Sequence, residues 1–168
     1  KPVVHCTDRF CDTTHIEPEQ AVYRLCGKED CDEQHAFCSE SHATTTAEEN
    51  YDKAIRLNPQ NAKAYNNRGY AYHDLGQYER AIQDYDEAIR LDPRYALAYY
   101  NRGAAYQNLG QYERAIQDYD EAIRLNPQDA NAYYNRGLAY ARLGQYEQAI
   151  QDFDEAIRLN PQNAGAYH

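Results

Sequence analysis

The chain has 168 residues, 18 of them Tyr, with no Met or Trp, and a formal net charge of −10. Residues 1–45 hold nine acidic and four basic side chains, and residues 46–168 hold eighteen and thirteen, so each part carries −5. Such a surface disfavours nucleic acid and anionic membranes, because phosphate binding runs on clustered Lys and Arg, and no apolar run approaches the roughly 20 residues of a membrane-spanning helix.

Taken in order, the chain opens on a segment unlike the rest. Residues 1–45 carry all five cysteines, Cys6, Cys11, Cys26, Cys31 and Cys38. A C-x4-C-D-x2-H motif occurs twice, as Cys6–Cys11–Asp12–His15 and Cys26–Cys31–Asp32–His35, and Cys38 and His42 come after it. Three chemistries fit this pattern. Thiolates and imidazoles at short spacing suit a tetrahedral zinc site, for which Cys26, Cys31, Cys38 and His42 are the candidate ligands. The interleaved acidic residues argue against such a site gripping RNA. Alternatively, a segment with few large apolar residues needs disulfide staples to order itself. Two bridges among the five cysteines would leave one thiol over. The third reading is reduced cysteines acting as small hydrophobes. The staple reading, together with an opening at Lys1 rather than Met, points toward an exported protein. No cofactor other than zinc is indicated.

A helical region is predicted between Pro18 and Cys38, and Thr44-Thr45-Thr46 with Glu48 and Glu49 form a turn and capping box. The pattern then becomes regular, with Tyr51, Ala54, Ile55 and Leu57 as the expected buried face up to Asn58-Pro59. From there one phrase returns every 34 residues: GQYERAIQDYDEAIRLDP from Gly76, GQYERAIQDYDEAIRLNP from Gly110 and GQYEQAIQDFDEAIRLNP from Gly144. Prolines 59, 93, 127 and 161 mark the beat. A fixed period in this range means one supersecondary unit stacked on copies of itself. Apolar residues at three- and four-residue steps predict two helices per unit, about Ala96–Leu109 and Tyr112–Leu125 in the middle copy. Gly110 ends the first helix and Asn126-Pro127 stops the second. Two short helices cannot bury their faces alone, so the units stack.

Within each unit an aromatic, glycine, aromatic, alanine, aromatic, alanine and proline recur. They are Tyr65, Gly69, Tyr72, Ala81, Tyr85, Ala88 and Pro93; then Tyr99, Gly103, Tyr106, Ala115, Tyr119, Ala122 and Pro127; then Tyr133, Gly137, Tyr140, Ala149, Phe153, Ala156 and Pro161. This set resembles the tetratricopeptide repeat family over about residues 46–168. The resemblance implies an all-α, right-handed superhelical solenoid: a half repeat at 46–60, full repeats at 61–94, 95–128 and 129–162, and the start of a further helix at 163–168. The Cys/His-rich residues 1–45 would cap its N-terminal end. One departure is consistent, since Arg68, Arg102 and Arg136 stand where the family usually has leucine. Their stems are expected to be buried and their heads to reach an aspartate of the QDYDEAI stretch.

Catalysis finds little support. The carboxylates of Asp84, Asp86 and Glu87 recur with the repeat, which marks a solvated face or inter-repeat pairs, and neither a phosphate loop nor a metalloprotease motif is present. Recognition remains. The resemblance implies a concave groove lined by the first helices. Its binding positions fall here on Asn67, Asn101 and Asn135, with Asn66, Tyr100 and Tyr134 beside them. An asparagine amide both donates and accepts, so a ladder of them could pair with an extended peptide backbone. The alternative role for these asparagines is local hydrogen bonding within the solenoid. The family's basic clamp for a terminal carboxylate is not repeated, because Lys63 is succeeded at its register by Leu97 and Asn131. Two partners are therefore expected: a second copy of the chain, docking end to end on Ile150, Phe153, Ile157 and Tyr167 to build a filament or tube, or a peptide of another protein held in the groove. A zinc-dependent nucleic-acid module is a distant third reading.

Overall fold

The computed structural model describes residues 48–161. Every regular element among them is an α-helix: α1 (48–57), α2 (Ala62–Asp74), α3 (Tyr78–Leu91), α4 (Ala96–Asn108), α5 (Tyr112–Leu125), α6 (Ala130–Arg142) and α7 (Tyr146–Leu159). They pair as α2–α3, α4–α5 and α6–α7, and each pair leans on the next through α3–α4 and α5–α6. The first helices α2, α4 and α6 also touch in succession, while the second helices α3, α5 and α7 touch only first helices. The solenoid therefore curves with its first helices on the inner side.

Local chemistry sets the boundaries. Asn61 caps α2 by accepting from the Ala64 amide, and Asp129 caps α6 by accepting from the Asn131 amide. Gly110 lies at φ +72°, a left-handed conformation that an L side chain strains to adopt. It lets the Gln111 amide turn back to the Tyr106 carbonyl and so reverses the chain within two residues. After the second helices, Asp92 and Asn126 accept from the amides of Arg94 and Gln128, which closes the turn around each proline.

Small residues make the packing close. A Cβ at Gly103 would lie 2.9 Å from the Tyr119 ring and 3.2 Å from the Ala115 carbonyl, and Gly69 and Gly137 meet Tyr85 and Phe153 in the same way. Ala81, Ala115 and Ala149 let the second helix approach, and each ring fills the layer beside its glycine. One expectation fails at the edge of this core. Leu57 is 78 % exposed rather than buried. At 100° per residue it lies about 120° around the helix from Tyr51, off the stripe formed by Tyr51, Ala54 and Ile55.

The three equivalent aromatics differ in one atom. Tyr119 donates to Gln107 Oε1 at 3.2 Å, the Tyr85 hydroxyl is buried without a hydrogen-bond partner among the described residues, and Phe153 has no hydroxyl. An unpaired buried hydroxyl carries an uncompensated desolvation penalty of about 1–3 kcal/mol. Tyr85→Phe is therefore expected to raise stability by about 1 kcal/mol, whereas Tyr119→Phe, which strands Gln107, lowers it by about as much. Urea denaturation of the two variants side by side checks the opposite signs.

Burial also pushes both phenols well above the usual tyrosine range. In the unfolded chain they ionise near pH 10. A folded-state value above the unfolded one means the stability is complete below about pH 10 and is lost as pH rises beyond it. At pH 11 the loss is about 1.4 kcal/mol for each of the two residues. Tyrosinate absorbance should show the exposed tyrosines titrating first, with Tyr85 and Tyr119 ionising only as the helical signal disappears.

Candidate functional site

The inner face is built from positions that recur along α2, α4 and α6. Between α1, α2 and α4 it opens into a cleft of about 330 Å³ lined by Tyr51, Asn66, Asn67, Tyr70, Leu97 and Asn101. Tyr70, Leu97 and Asn67 are exposed there, while Asn66 and Asn101 are buried. Tyr70 lies near-parallel to His73, with ring centroids 6.5 Å apart, at the edge of the cleft.

The asparagines expected to bind are not equivalent. Asn101 donates from Nδ2 to Asn66 Oδ1 at 3.0 Å, and Asn135 donates to the Tyr100 hydroxyl at 2.8 Å. Each of these amides is thus latched to the preceding repeat. Asn67 accepts from Asn66 at 3.4 Å and otherwise faces solvent. Tyr100 and Tyr134 tilt against Tyr119 and Phe153, with centroids 5.9 and 5.6 Å apart. Their rings therefore belong partly to the layer between helices. The repeat pattern does not single out Tyr70 and Leu97 as binding positions. They sit at inner-face registers occupied by Ala104 and Leu138, and by Lys63 and Asn131, so they are not part of the repeating consensus.

Behind this face runs a ladder of ion pairs, each arginine held between one buried and one half-exposed aspartate. Arg102 donates from Nε and Nη2 to both oxygens of Asp118, at 2.8 and 2.6 Å, and from Nη1 to Asp86. Arg68 bridges Asp84 and Asp52, and Arg136 bridges Asp152 and Asp120, in the same geometry. The sequence predicts one aspartate for each arginine and the structure supplies two, one on the second helix of its own repeat and one on that of the repeat before. The signal is in the sequence spacing, since each arginine stands 16 residues from both of its partners. Burial alone would pull the Arg102 guanidinium down, but its bonds to Asp118 and Asp86 outweigh that and hold it above its ordinary value. Burial pushes the Asp118 carboxyl up, against the pull of Arg102. With two short bonds to a cation that does not titrate, the pair remains ionic. Each arginine also lies over a tyrosine of its own helix, Arg102 at 5.7 Å from the Tyr99 centroid.

At the far end, Ile150 and Ile157 are exposed, whereas Phe153 is half-buried against Tyr134 and Gly137. Cys6, Cys11, Cys26, Cys31, Cys38, His42 and Tyr167 lie outside the described residues, as do the zinc, disulfide and cap readings that rest on them. Among the described residues no cluster of His, Cys, Asp and Glu could hold a metal ion, and no helix is long and apolar enough to cross a membrane.

Models of the TPR repeat match residues 69–110 and 108–144, and models of the tetratricopeptide repeat match residues 50–83 and 130–163. The chain belongs to the tetratricopeptide repeat (TPR) family. Similar solved structures include a crystal structure of MamA, at 31 % identity and TM-score 0.67 over 73 % of this chain and 71 % of that one. The first TPR of Spaghetti (RPAP3), bound to the HSP90 peptide SRMEEVD, is 32 % identical with TM-score 0.62 over 64 % and 85 % of the two chains. The Arabidopsis OM64 TPR domain is 34 % identical with TM-score 0.61 over 62 % and 87 %. A comparison with curated protein sequences finds no match. The TPR fold is a protein-interaction scaffold, and here the arginine–aspartate ladder occupies the place where the family usually has leucine.

Proposed function

We propose that this TPR solenoid is a non-catalytic scaffold that holds an extended segment of another protein along its inner face. The cleft bounded by Tyr51, Asn67, Tyr70 and Leu97 carries the reading, because it offers aromatic and aliphatic area beside one solvent-facing amide. The solved relative with SRMEEVD supports the mode of binding, while the residues here favour a different peptide. Lys63 is the one basic side chain among its register positions, with Leu97 and Asn131 at the others. The segment that fits is therefore apolar or aromatic and low in charge, not an acidic C-terminus.

Asn67→Ala is expected to weaken such a peptide about tenfold, the loss of one hydrogen bond, and to lower stability by less than about 1 kcal/mol, because it removes only the long 3.4 Å bond from the buried Asn66 amide. Asn101→Ala should instead lower stability by about 1 kcal/mol, because it strands the buried Asn66 acceptor. Calorimetry with a panel of uncharged aromatic–aliphatic peptides, and with SRMEEVD as the contrast, measures the first effect. Equal binding of SRMEEVD and the panel, or full affinity in Asn67→Ala, would remove the groove assignment.

End-to-end self-association into a filament is the competing reading, and the exposure of Ile150 and Ile157 on α7 favours it. Light scattering and electron microscopy separate the two: a monomer at high concentration leaves only the groove.

A further inference from the structure

Two hydrogen bonds tie α2 directly to α4 across the inner face. One is the amide pair in which Asn101 donates to Asn66. The other lies at the C-terminal ends of the two helices, where Asn108 donates from Nδ2 to His73 Nε2 at 3.0 Å. The same Nδ2 also donates to the Ala104 carbonyl at 3.0 Å. A carbonyl only accepts, so the Ala104 contact fixes which end of the Asn108 amide faces the ring. His73 must then accept at Nε2 and carry its proton on Nδ1. Asp74 Oδ1 stands 3.8 Å from Nδ1, and the ring otherwise faces Tyr70 on α2 and Tyr78 on α3. Tyr70 in turn lines the cleft.

Charging the imidazole puts an N–H on Nε2, directly against the Asn108 amide hydrogens. Turning that amide over would offer Oδ1 to the ring but set it against the Ala104 carbonyl. Neither arrangement satisfies all three groups. Asp74 steadies the charged ring from the Nδ1 side without replacing the lost bond, whereas the Asn66–Asn101 pair holds no titrating group. The feature is local to one junction. At the next one the equivalent residues are Gln107 and Arg142, and Gln107 there accepts from Tyr119.

We infer that His73 and Asn108 form a latch between the first two full repeats, closed by the neutral imidazole and released by acid, and that its release loosens the peptide cleft. Release leaves Asn66–Asn101 as the remaining hydrogen bond between α2 and α4 among the described residues, and Tyr70 then moves with the loosened end of α2. A peptide meets a cleft that is formed for only part of the time, so its apparent affinity falls by that fraction. This consequence for binding rests on the groove reading above; the latch itself does not.

NMR of the 168-residue chain, titrated from about pH 8 to about pH 5 to span the usual imidazole range, tests the latch without any peptide. The Asn108 side-chain amide and Tyr70 ring resonances should move in step with the His73 ring. In His73→Gln, which keeps an acceptor for Asn108 and cannot be charged, they should stay still. Calorimetry with the uncharged aromatic–aliphatic peptides should show affinity about fivefold weaker at the acid end, the size of one hydrogen bond. That dependence should be missing from His73→Gln. Asn108 and Tyr70 resonances indifferent to the His73 titration overturn the latch. Resonances that respond while the peptides bind equally well at both ends overturn its control of the cleft. If no uncharged peptide binds at either end, the groove reading fails and the resonances alone decide the latch.

Discussion

Arg102→Leu is expected to lower the unfolding free energy by about 3 kcal/mol, although leucine is the residue the family usually carries there. The cost does not come from losing attraction alone. Asp118 is buried, with its side chain only 7 % exposed, and removing its partner leaves a charge in a low-dielectric layer. The penalty lies at the lower end of the range for buried pairs because the Asp118 carboxyl is already pushed up by burial and can protonate. Asp86, half in solvent, loses little. The double variant Arg102→Leu/Asp118→Leu should recover to within about 1 kcal/mol of the parent, since an apolar pair of similar volume is often as stable as a buried ion pair. Chemical denaturation of the single and double variants gives the coupling directly. A single variant within about 1 kcal/mol of the parent would show that the ladder is dispensable. Because Arg102 joins α3 to α5 across α4, the single variant should also broaden the transition, as coupling between neighbouring repeats weakens.

Gly103→Ala is expected to cost about 2 kcal/mol net, against the usual trend for a helix interior. Alanine gains about 1 kcal/mol of helix propensity over glycine. Here the added methyl meets the Tyr119 ring at 2.9 Å and the Ala115 backbone carbonyl at 3.2 Å. The ring could yield only by disturbing its bond to Gln107 and its contact with Tyr100, and the carbonyl belongs to α5 itself, so the helices must separate. Thermal unfolding checks it, with Gly103→Ala/Tyr119→Leu as the companion: if steric conflict with the ring is the cause, glycine and alanine at 103 should differ far less in the leucine background. Equal penalties in both backgrounds would place the strain in the backbone instead.

The amino-acid sequence by itself determined the repeat, the two helices of each unit and the order in which the units stack. The 34-residue period, the glycine at each first-helix end and the proline after each second helix act over a few residues, so local rules read them. Helix ends in the middle repeat fall within one residue of expectation at Asn108 and coincide at Leu125. The sequence also marked Arg68, Arg102 and Arg136 as departures and pointed them at aspartates. It left the second aspartate undetermined, because that contact crosses from one repeat to the one before and depends on how far each pair of helices rotates against the next. The same holds for the asparagines. Asn67, Asn101 and Asn135 are identical in sequence register, yet Asn101 and Asn135 are spent on Asn66 and Tyr100 of the preceding repeat, while Asn67 faces solvent. Side-chain direction at a repeat interface is decided by the neighbour's shape, and only the tertiary structure brings Tyr51, Tyr70 and Leu97 together around the solvent-facing amide of Asn67.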